Sequence, residues 1–395
     1  MTSISTAAVL RNRNAACCLA AAVVSGFGSS ALWLAAGVWV KDLTGSDGLA
    51  ALCLLALWAP TLAGPALGAL ADRVRRKPLL IAASLLPAAA LPALFAVDSP
   101  GRLWLLFAVL FLYGAAGVVQ DAAESALVAT ALDERLLGDL GGLRTTVNEG
   151  MKLVAPPAGA GLYAAYGGPA VAALDAVTFV LATGLYAALR VREPAPQRPA
   201  ESWRHRTAEG TRYLWAHPRL RPLVLAGGLT MLCAGVGGPT VYAVADAVGR
   251  SPAYAGVLYA VQGAGSVAVG LLAGPALRRL GGPRFAAYGI ALYAVAMAVR
   301  AVPSVPVALV TSAAIGAGLP AVLIAALTAV QRETPGPLLG RVTATAGSLV
   351  FAPNVLGLAA GAALIEPVGV RVLLPALGVL LLATAGITRR AGGPA

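Results

Sequence analysis

Charge is scarce in this chain. Asp, Glu, Lys and Arg make up 12% of its 395 residues, about half the roughly 25% of a soluble globular domain. Histidine is rarer still: His205 and His217 are the only two, and they fall in one short polar segment. No HExxH, GxSG or phosphate-cradling GxxxxGK[ST] run occurs, which excludes zinc hydrolysis, the usual serine-hydrolase elbow and self-powered ATP-driven work. The four cysteines, Cys17, Cys18, Cys53 and Cys233, lie in apolar stretches without metal-like spacing and read as small packing residues. Long alternating polar and apolar runs are also missing, and with them a membrane β-barrel. No catalytic group, metal site or cofactor is expected.

Apolar residues, at 58%, take the place of charge, and the mean hydropathy is +0.79. The apolar stretches are continuous and about twenty residues long, the length of a helix that crosses a bilayer. Twelve such spans are expected near 14–40, 48–70, 78–97, 103–128, 143–165, 169–189, 221–246, 253–276, 284–301, 305–328, 341–364 and 369–388. The first follows Arg11 and Arg13 but is too long for a secretory signal, carries Trp33 and Trp39, and leads into a second span. With the N-terminus inside, 23 of the 29 Lys and Arg fall on the cytoplasmic side. The positive-inside bias therefore places both termini in the cytoplasm of a multi-pass protein of the cell's inner membrane. The net charge of +12 thus reports topology, since no soluble basic face exists to hold a nucleic acid.

Three regions follow: a six-span bundle over 1–190, a polar linker over 191–220 and a second six-span bundle over 221–395. The linker begins Pro-rich and continues with Trp203, Tyr213 and Trp215 among Arg204, Arg206, Arg212 and Arg219. That pattern suits an amphipathic helix on the anionic inner leaflet. Leu-Ala-Gly-Pro-Ala-Leu occurs at 62–67 and again at 272–277, each time before a basic turn, an offset expected of two homologous halves. Two dinucleotide-like glycine patterns, at Gly159/Gly161 and Gly263/Gly265, sit inside apolar spans and read as helix-packing glycines.

Residues 68–77, Gly-Ala-Leu-Ala-Asp-Arg-Val-Arg-Arg-Lys, form a short basic turn between the second and third spans. The spacing of Gly68, Leu70, Asp72, Arg73, Arg76 and Lys77 resembles the loop between helices 2 and 3 of the major facilitator superfamily of secondary transporters. Arg75 stands where the family usually has glycine. The resemblance extends over essentially the whole chain and implies an all-α membrane fold of twelve helices in two pseudo-symmetric bundles. It further implies alternating access driven by an ion gradient, with Asp72 set against the N-terminus of helix eleven near Gly340-Arg341. A carboxylate there is favoured by the positive end of the helix dipole. Ala155-Pro156-Pro157-Ala-Gly159-Ala-Gly161 resembles the antiporter motif of the family's exporters, less its first glycine. Many relatives carry an aspartate in helix one, where Ser29 stands, and an arginine in helix four, where Tyr113 stands.

Ionisable groups inside a bilayer are expensive and become functional candidates. Arg144, Asn148, Glu149 and Lys152 crowd the fifth span, with Lys152 roughly 15 Å along the helix from residue 142. Glu149 and Lys152 share a helix face; they are either a static ion pair or a protonatable site, and with Ser29 and Tyr113 uncharged, proton coupling rests on Glu149 or is absent. Asp121 and Glu124 lie near the cytoplasmic end of the fourth span, and the basic turn Arg73–Lys77 is the expected counterpart of Glu124 in a gating network that includes Arg341. Asp175, about one and a half turns into the sixth span, is a cavity residue or a satisfied polar contact. Trp33, Trp39, Trp58, Phe111 and Tyr113 would line a cavity with few polar groups, among them Gln120, Asn148, Gln262 and Asn354. Such a lining suits a lipophilic or amphipathic compound better than a sugar. The expected function is proton-driven efflux by a monomer embedded in lipid, the proton gradient supplying the energy. An importer or facilitator of a small nutrient, and a membrane sensor that has lost transport, are the alternatives.

Overall fold

The computed structural model describes residues 6–64, 67, 74–131, 134–191, 193 and 203–391. Gly68, Asp72 and Arg73 lie outside the described residues, as do the side chains of Glu149 and Lys152, whose backbone is helical. Every regular element among the described residues is a helix. Continuous apolar sequence forces this outcome, because an α-helix satisfies its own backbone polar groups where water is absent.

The chain divides into two compact units, one of residues Met1–Gly45 and Cys53–Pro199, the other of Ser46–Leu52 and Ala200–Ala395. The first half of the sequence folds as α1 (Arg13–Thr44), α2 (Asp47–Trp58), α3 (Arg76–Ala90), α4 (Leu103–Ala131), α5 (Glu134–Tyr166) and α6 (Gly168–Ala187). After α7 (Trp203–Ala216) come α8 (Leu220–Gly237), α9 (Thr240–Ala247), α10 (Ala255–Leu280), α11 (Gly282–Val299), α12 (Val305–Glu333), α13 (Gly336–Val368) and α14 (Val370–Ala391). Ten helices among the described residues are long and apolar enough to cross a membrane. The two remaining expected spans correspond to α5, 33 residues long and carrying charged residues, and to the shorter apolar helix Asp47–Ala63. The single span expected over 221–246 is broken into α8 and α9 at Gly238-Pro239, where proline has no N–H to continue the ladder.

The two units repeat one packing scheme. In the first, α1 packs on α5 and α6, and α3 on α4 and α6. In the second, α8 packs on α13 and α14, and α11 on α12 and α14. First meets fifth and sixth, third meets fourth and sixth, so the repeat suggested by the sequence is a repeat of contacts. The same small residue serves both first-to-fifth contacts. A Cβ on Gly159 of α5 would lie 2.6 Å from the Ala31 carbonyl oxygen of α1, and one on Gly357 of α13 would lie 2.1 Å from that of Leu232 of α8. Only glycine permits such proximity.

α7 is the amphipathic linker helix, and one face of it docks on protein. Leu214 is fully buried with Leu220, Val342, Ala346 and Val350, and the Tyr213 hydroxyl donates to the Glu333 carbonyl at 2.8 Å. Trp215 stays exposed with the Arg221 guanidinium 5.3 Å from its ring centre.

Gly357→Val should lower the melting temperature of the detergent-solubilised protein, by an overpacking cost of about 1–3 kcal/mol. Gly161→Val, where a Cβ meets open space, should melt like the wild type, and equal losses in both would remove the close-contact argument.

Candidate functional site: two buried polar clusters

Asp175 sits on α6 with no exposed surface. α6 is capped by the preceding Gly167, whose φ of 77° and extended ψ turn the chain, and runs through Pro169 in its first turn, which places Asp175 two turns in, against α1. Thr178, one turn further on, donates its single hydroxyl hydrogen to the Asp175 carbonyl at 2.8 Å and to Oδ1 at 3.0 Å. A Cβ on Gly28 of α1 would lie 2.3 Å from both Asp175 Oδ1 and Thr178 Oγ1, so glycine is what lets the two helices close over this pair. The Tyr113 hydroxyl of α4 faces the carboxylate and donates to Ser29 Oγ of α1 at 2.5 Å. Its ring meets Phe179 edge to face, with centroids 5.3 Å apart. Asp175 Oδ2 makes no hydrogen bond to any described group. Ser29, Tyr113 and Asp175, three separate readings in the sequence, thus form one site.

The second cluster joins α4 to α5. Asp121 and Glu124 stand one turn apart on α4 and so share a face. Arg144 of α5 spans them, with Nη2 2.8 Å from Asp121 Oδ1 and 3.3 Å from Glu124 Oε2. Asp121 is exposed, whereas the Glu124 side chain is 3% accessible and also accepts from the Tyr186 hydroxyl at 3.1 Å. Gln120 Nε2 donates to that same tyrosine oxygen at 3.5 Å. A cavity of about 160 Å³ opens beside the pair, lined by Cys18, Leu19, Glu124, Val128, Leu140 and Arg144.

Among the described residues Glu124 is paired with Arg144 and not with the expected basic turn, of which Arg73 lies outside the described residues. Of that turn, Arg76 donates to the Ala126 carbonyl at 3.1 Å, and Lys77 Nζ donates to the Ala187 and Leu189 carbonyls at 2.8 Å each. A lysine at the C-terminal end of α6 satisfies carbonyls the helix leaves open. The backbone N–H groups of Arg76 and Lys77 donate to Glu193 at 2.5 and 2.7 Å, a carboxylate on the positive end of α3. Arg341 pairs with Glu209 of α7.

The expected lining residues separate. Trp39 is buried, with Gly168 pressed on its indole, and so lines nothing; Trp58 and Phe111 are exposed. Tyr113 is buried in the Asp175 cluster. Trp33, Gln120, Gln262 and Asn354 are half-buried and Asn148 is exposed. Asn354 Nδ2 donates to the Met231 carbonyl at 3.0 Å, tying α13 to α8.

Three polar residues were not singled out by sequence. Glu193 looked like part of a loose linker. Glu366, near the end of α13, accepts from the Ser46 hydroxyl and, at 3.3 Å, from the Gly48 N–H at the start of α2. Arg300 follows α11 and read as an ordinary loop charge, yet it is 6% exposed, beside Tyr259 and Tyr293, with Nε unpartnered among the described residues. For Glu193 and Glu366 spacing does not announce the partner, because each lies more than a hundred residues away in sequence.

Helices of membrane-crossing length, packed in two units that repeat one contact scheme, define a multi-pass membrane protein. The chain belongs to the Major Facilitator Superfamily, whose family model matches residues 18–243. No curated protein sequence matches it significantly. Among solved structures it is similar to the nucleoside transporter NupG, at 12% identity over 97% of this chain and 100% of that one, with a TM-score of 0.72. A POT family transporter in complex with 5-aminolevulinic acid gives 9% identity, 96% of each chain and 0.76. A bacterial homologue of the iron transporter ferroportin gives 15%, 98% and 99%, and 0.71. At these identities the likeness is one of fold.

Removing one partner from a buried ion pair leaves the other charge stranded, at a cost on the order of 3 kcal/mol. Arg144→Gln should therefore lower thermal stability markedly, and the double variant Glu124→Gln/Arg144→Gln should regain much of the loss. Additive losses in that cycle would mean the two side chains do not interact.

Proposed function

We propose that this protein is a proton-driven exporter of lipophilic or amphipathic small molecules, working by alternating access in the cell's inner membrane with both termini cytoplasmic. It acts as a monomer in lipid, needs no cofactor beyond the proton gradient and binds no nucleic acid. One observation carries the substrate class: many of the polar side chains of the spans, among the described residues, are already occupied. Ser25, Ser84, Thr183, Thr230, Thr311, Ser348, Thr384 and Thr388 each donate to the carbonyl four residues earlier. Gln120 and Asn354 are bonded to protein as well. A sugar or nucleoside needs several free donors and acceptors, and each one left unpaired in a dry site costs about 1–3 kcal/mol. A compound recognised by shape and aromatic contact does not.

Export is supported by α5. Its Pro156-Pro157 step and Gly159 match the exporter-like pattern, and the glycine is used for close contact with Ala31 of α1. The Asp121–Arg144–Glu124 network, half exposed and half buried, is a suitable latch, since solvent reaching Glu124 would weaken the pair. The energy source is a proton gradient rather than ATP, for which no binding loop exists.

Everted membrane vesicles given ethidium should accumulate it under an imposed proton gradient and lose it on adding a protonophore. Saturable inward uptake by whole cells, with no accumulation in everted vesicles, would replace export by import. Glu149→Gln, compared in the same assay, tests whether α5 contributes a coupling carboxylate.

A further inference from the structure

One buried cation of the second unit has no counter-charge among the described residues. Arg300 closes α11 and turns inward, 6% exposed, and its Nε makes no hydrogen bond to any described group. Lys41, Arg76, Arg144 and Arg341 are each met. Lys41 donates to the Gly45 carbonyl and Arg76 to that of Ala126. Arg144 spans Asp121 and Glu124, and Arg341 pairs with Glu209. An arginine does not lose its proton inside a protein, so the charge of Arg300 persists, and an isolated charge in an apolar interior is expensive.

α11 packs on α12 and α14, and more lightly on α8 and α10, all of them in the second unit. These five helices contain a single carboxylate, Glu333. It ends α12 beside His217, 3.5 Å away, and about 40 Å along that helix from its start after Arg300. Asp47, Asp246 and Glu366 sit at the Arg300 end of the unit but not against the guanidinium, and Glu366 accepts from Ser46 and Gly48. The groups that face Arg300 are the phenols of Tyr259 on α10 and Tyr293 on α11 itself. A further polar group lies at the same level. Gln262 of α10 meets Gly316 of α12, and one turn nearer the Arg300 end of each helix are Tyr259 and Ser312. Ser312 is wholly buried, with its hydroxyl unpartnered among the described residues. Tyr259 is half-buried, so the guanidinium lies one side chain beneath the accessible face of α10.

A carboxylate carried by a ligand fits these groups. The guanidinium fork meets a carboxylate in two parallel N–H···O bonds, and the hydroxyls of Tyr293 and Ser312 supply neutral donors. The Tyr259 and Tyr293 rings offer apolar faces to the body of the ligand. We propose that Arg300, with Tyr259 and Tyr293, binds the carboxylate of an amphipathic organic acid. Chloride leaves the planar fork half used, and a sugar brings no charge to meet it. Transport of such an acid rests on the efflux reading above; its binding at Arg300 does not. The phosphate of a lipid headgroup shares the chemistry of the carboxylate, and a change of lipid separates the two.

Equilibrium binding of radiolabelled naphthoate to the full-length protein in phosphatidylcholine nanodiscs tests the site. The wild type should bind it saturably, and unlabelled naphthoate should displace it where the neutral amide of the same acid does not. Arg300→Gln should weaken binding about tenfold to a hundredfold, the loss of a charge-assisted pair. Arg300→Lys should fall in between, and Tyr293→Phe should weaken binding by a smaller factor. Because the charge is unpaired, Arg300→Gln should melt no lower than the wild type in the absence of acid. A large fall in melting temperature, with binding unchanged in Tyr293→Phe, would assign Arg300 to holding the fold and overturn the site. Absence of saturable binding, equal binding by wild type and Arg300→Gln, or equal displacement by the amide or by chloride would each overturn it. Binding abolished in discs containing phosphatidylglycerol would give the site to a lipid phosphate and overturn the organic acid as its occupant. Binding by a wild type that accumulates neither ethidium nor naphthoate in everted vesicles would support the site and count against the efflux reading alone.

Discussion

Close backbone contact is the constraint on which the rest of this structure depends. Lipid is as apolar as leucine, so burial of side chains from water cannot hold one span against another; van der Waals contact between small surfaces must. Gly159 against Ala31 and Gly357 against Leu232 are the places where that contact is tightest between the first and fifth helices of each unit. The two clusters of polar residues are possible because of it. Asp175 can be sealed only if α1 comes close enough, which is what Gly28 allows, and Arg144 reaches Glu124 only if α5 is held near α4.

Sealing polar groups in this way raises the question of where each charge goes, and the chain answers it differently from place to place. Glu124 has a guanidinium. Glu193 and Glu366 have the free N–H groups at the starts of α3 and α2, and Lys77 has the open carbonyls after α6. These are fixed partners, and they reinforce particular helix ends. Among the described groups Asp175 has none of them. Its environment differs in kind, being made of neutral hydroxyls that can accept or pass on a hydrogen. A fixed ion pair resists protonation changes, whereas a hydroxyl cluster can accommodate them with small rotations.

The sequence made the fold legible because the fold is dictated by length and apolarity. Twelve apolar runs and a duplicated Leu-Ala-Gly-Pro-Ala-Leu segment suffice to expect twelve helices in two halves, and the contact repeat agrees. The break at Gly238-Pro239 was visible in the residues but easily read through, since apolarity continues across it. Partners were much less legible. Asp121 and Glu124 were recognisable as a pair by spacing, yet their cation lay 20 and more residues away on the next helix, and the basic turn, with its dense cluster of charge, looked the better candidate. Arg300 gave no signal at all, because a residue that ends a helix reads the same whether it faces solvent or turns inward. Trp39 shows the same difficulty: an aromatic residue in a span suits a cavity wall and a packed interface equally, and Gly168, 129 positions away, decides between them.

The departures from the family pattern take on a different meaning beside Asp175. Serine at 29 and tyrosine at 113 stand where many relatives have an aspartate and an arginine, and read singly they are losses. In the folded unit they face one another, and the carboxylate that joins them comes from α6. An aspartate and an arginine set opposite each other neutralise one another, so a third charge between them would be superfluous. Two hydroxyls set opposite each other share one hydrogen between them and keep a second for an acceptor. Ser29, Tyr113 and Asp175 therefore belong to one packed cluster rather than to three separate positions, because Tyr113 bonds Ser29 while Gly28 lets α1 close on Asp175.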